Sequence, residues 1–192
     1  MSPIRLLLVD DDRLALATMG SGLKTFGYAI ACADTGELAL ALAAASTFDL
    51  AILDIRMPGL SGIELSHLLQ RRHKLPSLFL SAYGEREQVT EAIREGGLGY
   101  LMKPVDATHA MPAIEAALAR SRDLNALLET KAQLEQALAG GRQTSIAIGI
   151  LMAQRHLSEQ AAFDCLRAEA RRQRRKLTDY CAELFARAES DA

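Results

Sequence analysis

Residues 49–59 read DLAILDIRMPG. Leu50 to Leu53 form an unbroken apolar run, Asp54 follows, and Met-Pro-Gly closes it. A strand that does not alternate is one buried on both faces, as in a parallel sheet covered by helices. The Pro-Gly step ends the strand and leaves Asp54 at its carboxyl end. Four more short apolar runs share this character: IRLLLV at 4–9, YAIAC at 28–32, PSLFLS at 76–81 and GYLMK at 99–103. Longer helical patterns separate them. Strand and helix in alternation predict an α/β fold, a doubly wound parallel sheet of five strands. Ser61 and Glu64 have capping-box spacing for the third helix, and Asp106 is placed to cap the helix after the fifth strand.

The strand ends carry the chemistry. Asp10, Asp11 and Asp12 follow the first strand, and Asp54 ends the third. In a doubly wound sheet these two ends are neighbours at the switch point where ligands bind. Carboxylates gathered there repel one another unless a hard cation joins them, and Mg²⁺ suits oxygen donors. Ser81 and Lys103 end the next two strands. Each of these residues alone reads as an ordinary turn or surface position. Together they supply a metal site, a carboxylate nucleophile, a hydroxyl and a fixed cation. That set suits phosphoryl transfer onto Asp54, with Lys103 neutralising the phosphoryl oxygens.

With these residues in order, residues 4–119 resemble the receiver domain of two-component response regulators, a flavodoxin-like fold. The resemblance rests on Asp10-Asp11, on Asp54 with its MPG loop, on Ser81, on Tyr100 and on Lys103-Pro104. It implies Asp54 as phosphoacceptor. It implies Mg²⁺ held by Asp11, Asp54 and the backbone carbonyl of Arg56, with Asp10 acting through water. Ser81 and Tyr100 are implied to reorient on phosphorylation, Lys103-Pro104 to be cis, and a cognate sensor histidine kinase to be the partner. Arg56 and Tyr83, each two positions past a pocket residue, are expected to screen the acyl phosphate from water.

Strand patterns stop near residue 107. Leu124, Leu127, Lys131, Leu134 and Leu138 follow a 3-4-3-4 spacing, a coiled-coil seam with one polar position. The seam predicts a homodimer, with packing against the chain itself as the alternative. Gly140-Gly141 is expected to break or kink this helix. Three helical patterns follow: QTSIAIGILMAQRHL, then EQAAFDCLRAEARRQRRK with Ser158 as cap, then LTDYCAELFARAE, with Leu177, Cys181, Leu184, Phe185 and Ala188 on one stripe.

Five of the six residues 171–176, RRQRRK, are cations. On a continuous helix Arg167, Arg171, Arg174 and Arg175 fall within about one quadrant, beside a face of Ala162, Phe163, Leu166 and Ala170. A stripe of arginines suits a phosphate backbone. The segments AIGILM, AAFDCLRAEA and RKLTDYCAELF resemble the ANTAR module of transcription antitermination regulators. The resemblance implies a three-helix RNA-binding domain after a dimerising helix, one that binds stem-loops in a leader transcript and keeps a terminator hairpin from forming. Arg167, Arg171, Arg174, Arg175 and Lys176 are then the RNA-binding cations. The chain departs from the pattern at Arg174, where a short polar residue such as Asn is expected. Two other outputs stay open on the residues alone: DNA binding through the same helices, and a relay whose tail only dimerises or binds a partner protein.

Composition agrees with this division. Residues 1–141 hold 13 Lys and Arg against 17 Asp and Glu, and residues 142–192 hold 9 against 7, so the tail is the basic part of a chain of net charge −2. Cys32, Cys165 and Cys181 are widely spaced with no CxxC pair, and are expected to be small buried hydrophobes in a reducing cytoplasm. His67, His73, His109 and His156 lack ligand spacing. The amino-terminal apolar run is too short for a signal peptide, and no run approaches a membrane span. The expected organisation is a receiver at 1–119, a coiled-coil helix at 120–141 and a three-helix domain at 142–192. The expected activity is regulatory, with self-phosphorylation and dephosphorylation at Asp54 as its only chemistry.

Overall fold

The computed structural model describes residues 3–82, 89–90, 93–94 and 96–190, with side chains omitted at 137 and 186–190. The chain divides into two compact units, Met1–Asn125 and Ala126–Ala192.

The first unit has five strands: β1 Arg5–Val9, β2 Ala29–Ala33, β3 Leu50–Asp54, β4 Ser77–Ser81 and β5 Gly99–Met102. All pair in parallel, in the order β2-β1-β3-β4-β5. Helices α1 Arg13–Thr25, α2 Gly36–Ala45 and α3 Gly62–His73 connect them, and α4 Ala107–Arg155 leaves β5. The continuous apolar runs are explained by burial on both faces. Leu6, Leu8, Leu50, Ile52, Leu78 and Leu80 pack with α1 and the start of α4. The residues between them, Leu7, Val9, Ala51, Leu53 and Phe79, pack with α2 and α3. The fold is the doubly wound five-stranded sheet that the apolar runs predict.

Caps stand where the residues place them. Glu64 N donates to Ser61 Oγ, and the Glu64 carboxylate accepts from Ser61 N at 3.0 Å, closing the capping box. The Asp106 carboxylate accepts from His109 N at 2.9 Å.

Three expectations are corrected. First, Gly140-Gly141 neither breaks nor kinks the chain out of helix, because α4 runs unbroken from Ala107 to Arg155. The glycine is there for close packing: a Cβ on Gly140 would lie 3.0 Å from Thr178 Cγ2. Thr144 and Ser145 hydroxyls donate to the Gly140 and Gly141 carbonyls, which stay within the helix. Second, the next helix, α5 Glu159–Arg172, stops short of Lys176. Arg174 adopts φ 53°, and Arg175 N donates to Ala170 O while Arg174 N donates to Arg171 O, a Schellman closure. The last helix, α6, is Leu177–Ser190. Third, only Cys181 of the three cysteines is buried; Cys32 lies on edge strand β2 and is exposed.

The second unit packs Ala147 and Leu151 of α4, Ala162 and Leu166 of α5, and Cys181 of α6 into one small core, with Leu177 and Leu184 against it. Ser158 caps α5 through Ala161 N. Among the described residues no helix is long and apolar enough to cross a membrane.

Candidate functional site

β1 and β3 are hydrogen-bonded neighbours, with Val9 opposite Leu53. Their carboxyl ends therefore deliver Asp10 and Asp54 to one place. One carboxylate oxygen from each of Asp10, Asp11 and Asp54 lies within 4.8 Å of the others. Asp10 and Asp54 are buried, and Asp11 faces solvent. Lys103, just past β5, reaches into this cluster. Its Nζ donates to Asp10 Oδ2 at 2.6 Å and to Asp54 Oδ2 at 2.7 Å. Burial raises the Asp54 carboxyl above the usual carboxylate range, Lys103 pulls it down, and the Asp10 charge pushes it up again. Burial works against the Lys103 charge, yet the bonds to Asp10 and Asp54 hold its pKa above the usual value.

Three hard oxygen donors, two of them buried and mutually repelling, fit a divalent cation such as Mg²⁺. Asp12 has a separate task. Its Oδ1 accepts from Leu14 N and Ala15 N, capping α1. The cap turns the chain so that Asp12 N donates to Asp10 Oδ1 at 3.0 Å, which orients Asp10.

Ser81 ends β4 beside this cluster and is 2% exposed, with its hydroxyl donating to Ala82 O. Lys103 N donates to Ser81 O, tying the two strand ends together. Arg56 N donates to Asp54 Oδ1 at 3.4 Å, and the Arg56 side chain is exposed. The Lys103–Pro104 bond is cis. Tyr100 on edge strand β5 is 46% exposed. Tyr83 lies outside the described residues.

In the second unit Arg167, Arg171, Arg174 and Lys176 are exposed. The single quadrant expected for four arginines applies only to Arg167 and Arg171, since Arg174 and Arg175 sit in the turn beyond α5. Arg172 pairs with Glu169, and Arg175 with Glu183. The cations of residues 171–176 are therefore two that are paired and three, Arg171, Arg174 and Lys176, without an ion pair among the described residues.

Comparison with known proteins meets both units. The family model for the response regulator receiver domain matches residues 6–115, and that for the ANTAR domain matches 132–184. The chain belongs to the response regulators. The transcriptional regulatory protein PdtaR of Mycobacterium tuberculosis is 31% identical over 169 residues, 88% of this chain and 82% of that protein. The response regulator protein FleR of Pseudomonas aeruginosa is 38% identical over 104 residues, 54% of this chain and 22% of its own length. A response regulator receiver domain protein from Clostridium thermocellum superposes with a TM-score of 0.59 at 26% identity, over 63% of this chain and 98% of that one. NtrX from Brucella abortus does so with a TM-score of 0.62 at 26% identity, over 67% and 30%. This response regulator joins a receiver to an ANTAR output domain.

One residue at the pocket escapes the sequence analysis. Gly62 opens α3, and its N donates to Ile55 O. A Cβ at Gly62 would stand 2.0 Å from the Asp54 carbonyl oxygen and 2.8 Å from the Asp54 carbonyl carbon. The loop after β3 therefore folds back with no room for a side chain, and this contact holds the Asp54 backbone in place. Backbone cannot give way as a flexible side chain does, so Gly62→Ala is expected to destabilise by about 3 kcal/mol. Urea denaturation measures this. An unchanged midpoint shows that the loop moves without cost and that Gly62 does not hold Asp54. The MPG turn and the capping box signal a tight loop, but neither reveals the backbone it presses on.

Arg174 also gains a physical account. Among the described residues, three helices end on a left-handed residue that is not glycine: Lys74, His156 and Arg174, at φ 56°, 54° and 53°. Gly and Asn occupy that conformation at least cost, and other residues lose about 1 kcal/mol there. The short polar residue expected at this position thus suits the backbone itself. What Arg174 brings is a positive charge at the carbonyl end of α5, where the helix dipole favours it.

Proposed function

We propose that this response regulator is switched by phosphorylation of Asp54 and that its ANTAR domain, once active, binds stem-loops in a nascent leader RNA and prevents a terminator hairpin from forming. The supporting observation is the convergence of Asp10, Asp54 and Lys103 at the switch point, in a chain whose tail matches the ANTAR domain.

Asp11, Asp54 and the Arg56 carbonyl would hold the metal, with Asp10 acting through water. A bound divalent cation draws charge from the phosphoryl oxygens and so favours transfer. Asp54 offers a carboxylate oxygen to the phosphorus atom, the bond from phosphorus to the donor's leaving group breaks, and an acyl phosphate results. Lys103 neutralises the charge that builds on the phosphoryl oxygens. The Ser81 hydroxyl turns to bond the phosphoryl group, and Tyr100 follows. The donor in the cell is a phosphohistidine on a cognate sensor kinase.

The division of labour follows the burial along α4. The last α4 residue in the receiver core is Leu118, and the exposed leucines begin at Leu124. We take the receiver as residues 1–119, the coiled coil that joins two copies as 120–141 and the output domain as 142–192, a division that the end of the receiver core at Leu118 supports. Arg167, Arg171, Arg174 and Lys176 supply the positive face toward RNA, whose sequence is read in the splayed bases of hairpin loops.

The test is titration of the phosphorylated chain with labelled RNA hairpins and with duplex DNA of matched sequence, at several salt concentrations. Hairpin RNA is expected to bind more tightly, with affinity falling steeply in salt as phosphate contacts release counterions. Tighter binding to duplex DNA points to a DNA regulator. Binding to neither makes the tail a protein-interaction or dimerisation module.

A further inference from the structure

The Arg175 side chain does not point free into solvent. Its Nη1 pairs with the Glu183 carboxylate, two turns along α6, and reaches Gln173 Oε1 at 3.5 Å. Its Nη2 donates to the Asp179 carbonyl oxygen at 3.4 Å. One guanidinium thus joins the end of α5, the turn and the flank of α6. Two neighbours in the same turn, Arg174 and Lys176, are exposed and pair with no acid among the described residues. Arg174 is left-handed and lies beyond the end of α5, so it does not continue the α5 stripe.

We propose that Arg175 is a positioning residue, which clasps the α5–α6 turn to Glu183 and so aims Arg174 and Lys176 at the RNA backbone, while making no phosphate contact itself. This rests on the RNA-binding reading above and divides the cation cluster into a clasp and a grip. The planar fork of arginine matters here, because Nη1 and Nη2 must reach acceptors on two elements at once. A lysine keeps the charge but offers a single ammonium on a flexible stem.

The clasp and a direct contact differ in what a conservative change does. The full chain, phosphorylated, is titrated with a fluorescent RNA of two short stem-loops in tandem, at several potassium chloride concentrations. Arg175→Lys and Glu183→Gln are each expected to weaken binding about three- to five-fold, in the upper range for a half-exposed pair. The two changes combined weaken it no further, and the slope of log affinity against log salt stays at the wild-type value. Arg171→Ala with Lys176→Ala flattens that slope by about 0.7 to 0.9 per lost phosphate contact, which calibrates the measurement. Glu183→Gln is the decisive variant. Removing an acid near RNA ordinarily tightens binding, and the clasp requires the reverse. Tighter binding by Glu183→Gln, or wild-type binding by Arg175→Lys with a flattened slope for Arg175→Ala, overturns the clasp and leaves Arg175 as a phosphate contact. No RNA binding by the wild-type chain at any salt overturns the RNA reading and the clasp with it.

Discussion

Incubated with acetyl phosphate and Mg²⁺, the wild-type chain gains one phosphoryl group by intact mass, and Asp54→Asn gains none. Asp54 sits at the end of a fully buried strand with its Oδ2 2.7 Å from Lys103 Nζ. The amide of Asn keeps the shape of the site and removes the nucleophile, so the loss is complete and not graded. Chelating the metal stops the reaction in the wild type, because Asp10, Asp11 and Asp54 then crowd three carboxylates into one small space, and the Lys103 charge does not offset all three. Lys103→Ala is expected to remain phosphorylatable but about 10²-fold more slowly, the scale of losing one preorganised charge at a transition state. A wild-type chain that stays unmodified with donor and metal present sinks the receiver chemistry. A phosphoryl group on Asp54→Asn moves the acceptor to another residue.

The second large effect concerns association. In the single chain Leu127, Leu134 and Leu138 are 66%, 61% and 66% exposed. Three large apolar side chains on one seam of one helix are an unsatisfied surface, and their 3-4 spacing is matched by an identical helix. Each leucine buried across a dimer contributes about 1.5 to 3 kcal/mol, counted on both copies. Leu127→Asp with Leu134→Asp removes two of these layers and sets like charges against each other. The phosphorylated wild type is expected to sediment as a dimer, and the double variant as a monomer. A phosphorylated wild type that is monomeric at micromolar concentration shows that the seam does not join two copies. The helix itself tolerates the change, since both positions are exposed and Lys131–Glu135 remains as an i,i+4 pair.

These expectations draw unequally on sequence and structure. The five strands, their order along the chain, the capping box at Ser61 and Glu64, and Asp54 as a strand-end carboxylate were all legible in the residues. Each depends on a pattern local in sequence, namely an apolar run, a cap spacing or a breaking Pro-Gly. The pairing of Asp10 with Asp54 was also legible, because the rule placing neighbouring strand ends at the switch point turns a chain order into a spatial one. The leucine seam was legible as spacing, and the structure adds that it is exposed.

What only the tertiary structure decided depends on residues far apart in sequence meeting at close range. Gly140 looked like a helix breaker, as intrinsic propensity suggests. In the fold it is a contact point for Thr178 on α6, and packing outweighs the roughly 1 kcal/mol that glycine costs a helix. Asp12 was left outside the implied metal set with no task of its own, and the structure supplies one, because its carboxylate caps α1. Arg167, Arg171, Arg174 and Arg175 looked like one stripe, because a helical wheel assumes that the helix continues. The left-handed turn at Arg174 ended it, and Arg175 pairs with Glu183, eight residues beyond it. Gly62 gave no sign of its role, since the feature that forbids a side chain is the carbonyl oxygen of Asp54 itself. Local pattern reports what a residue prefers and which way it faces. Which backbone or which charge it then meets depends on how the chain returns, and that is set by the packing of the whole unit.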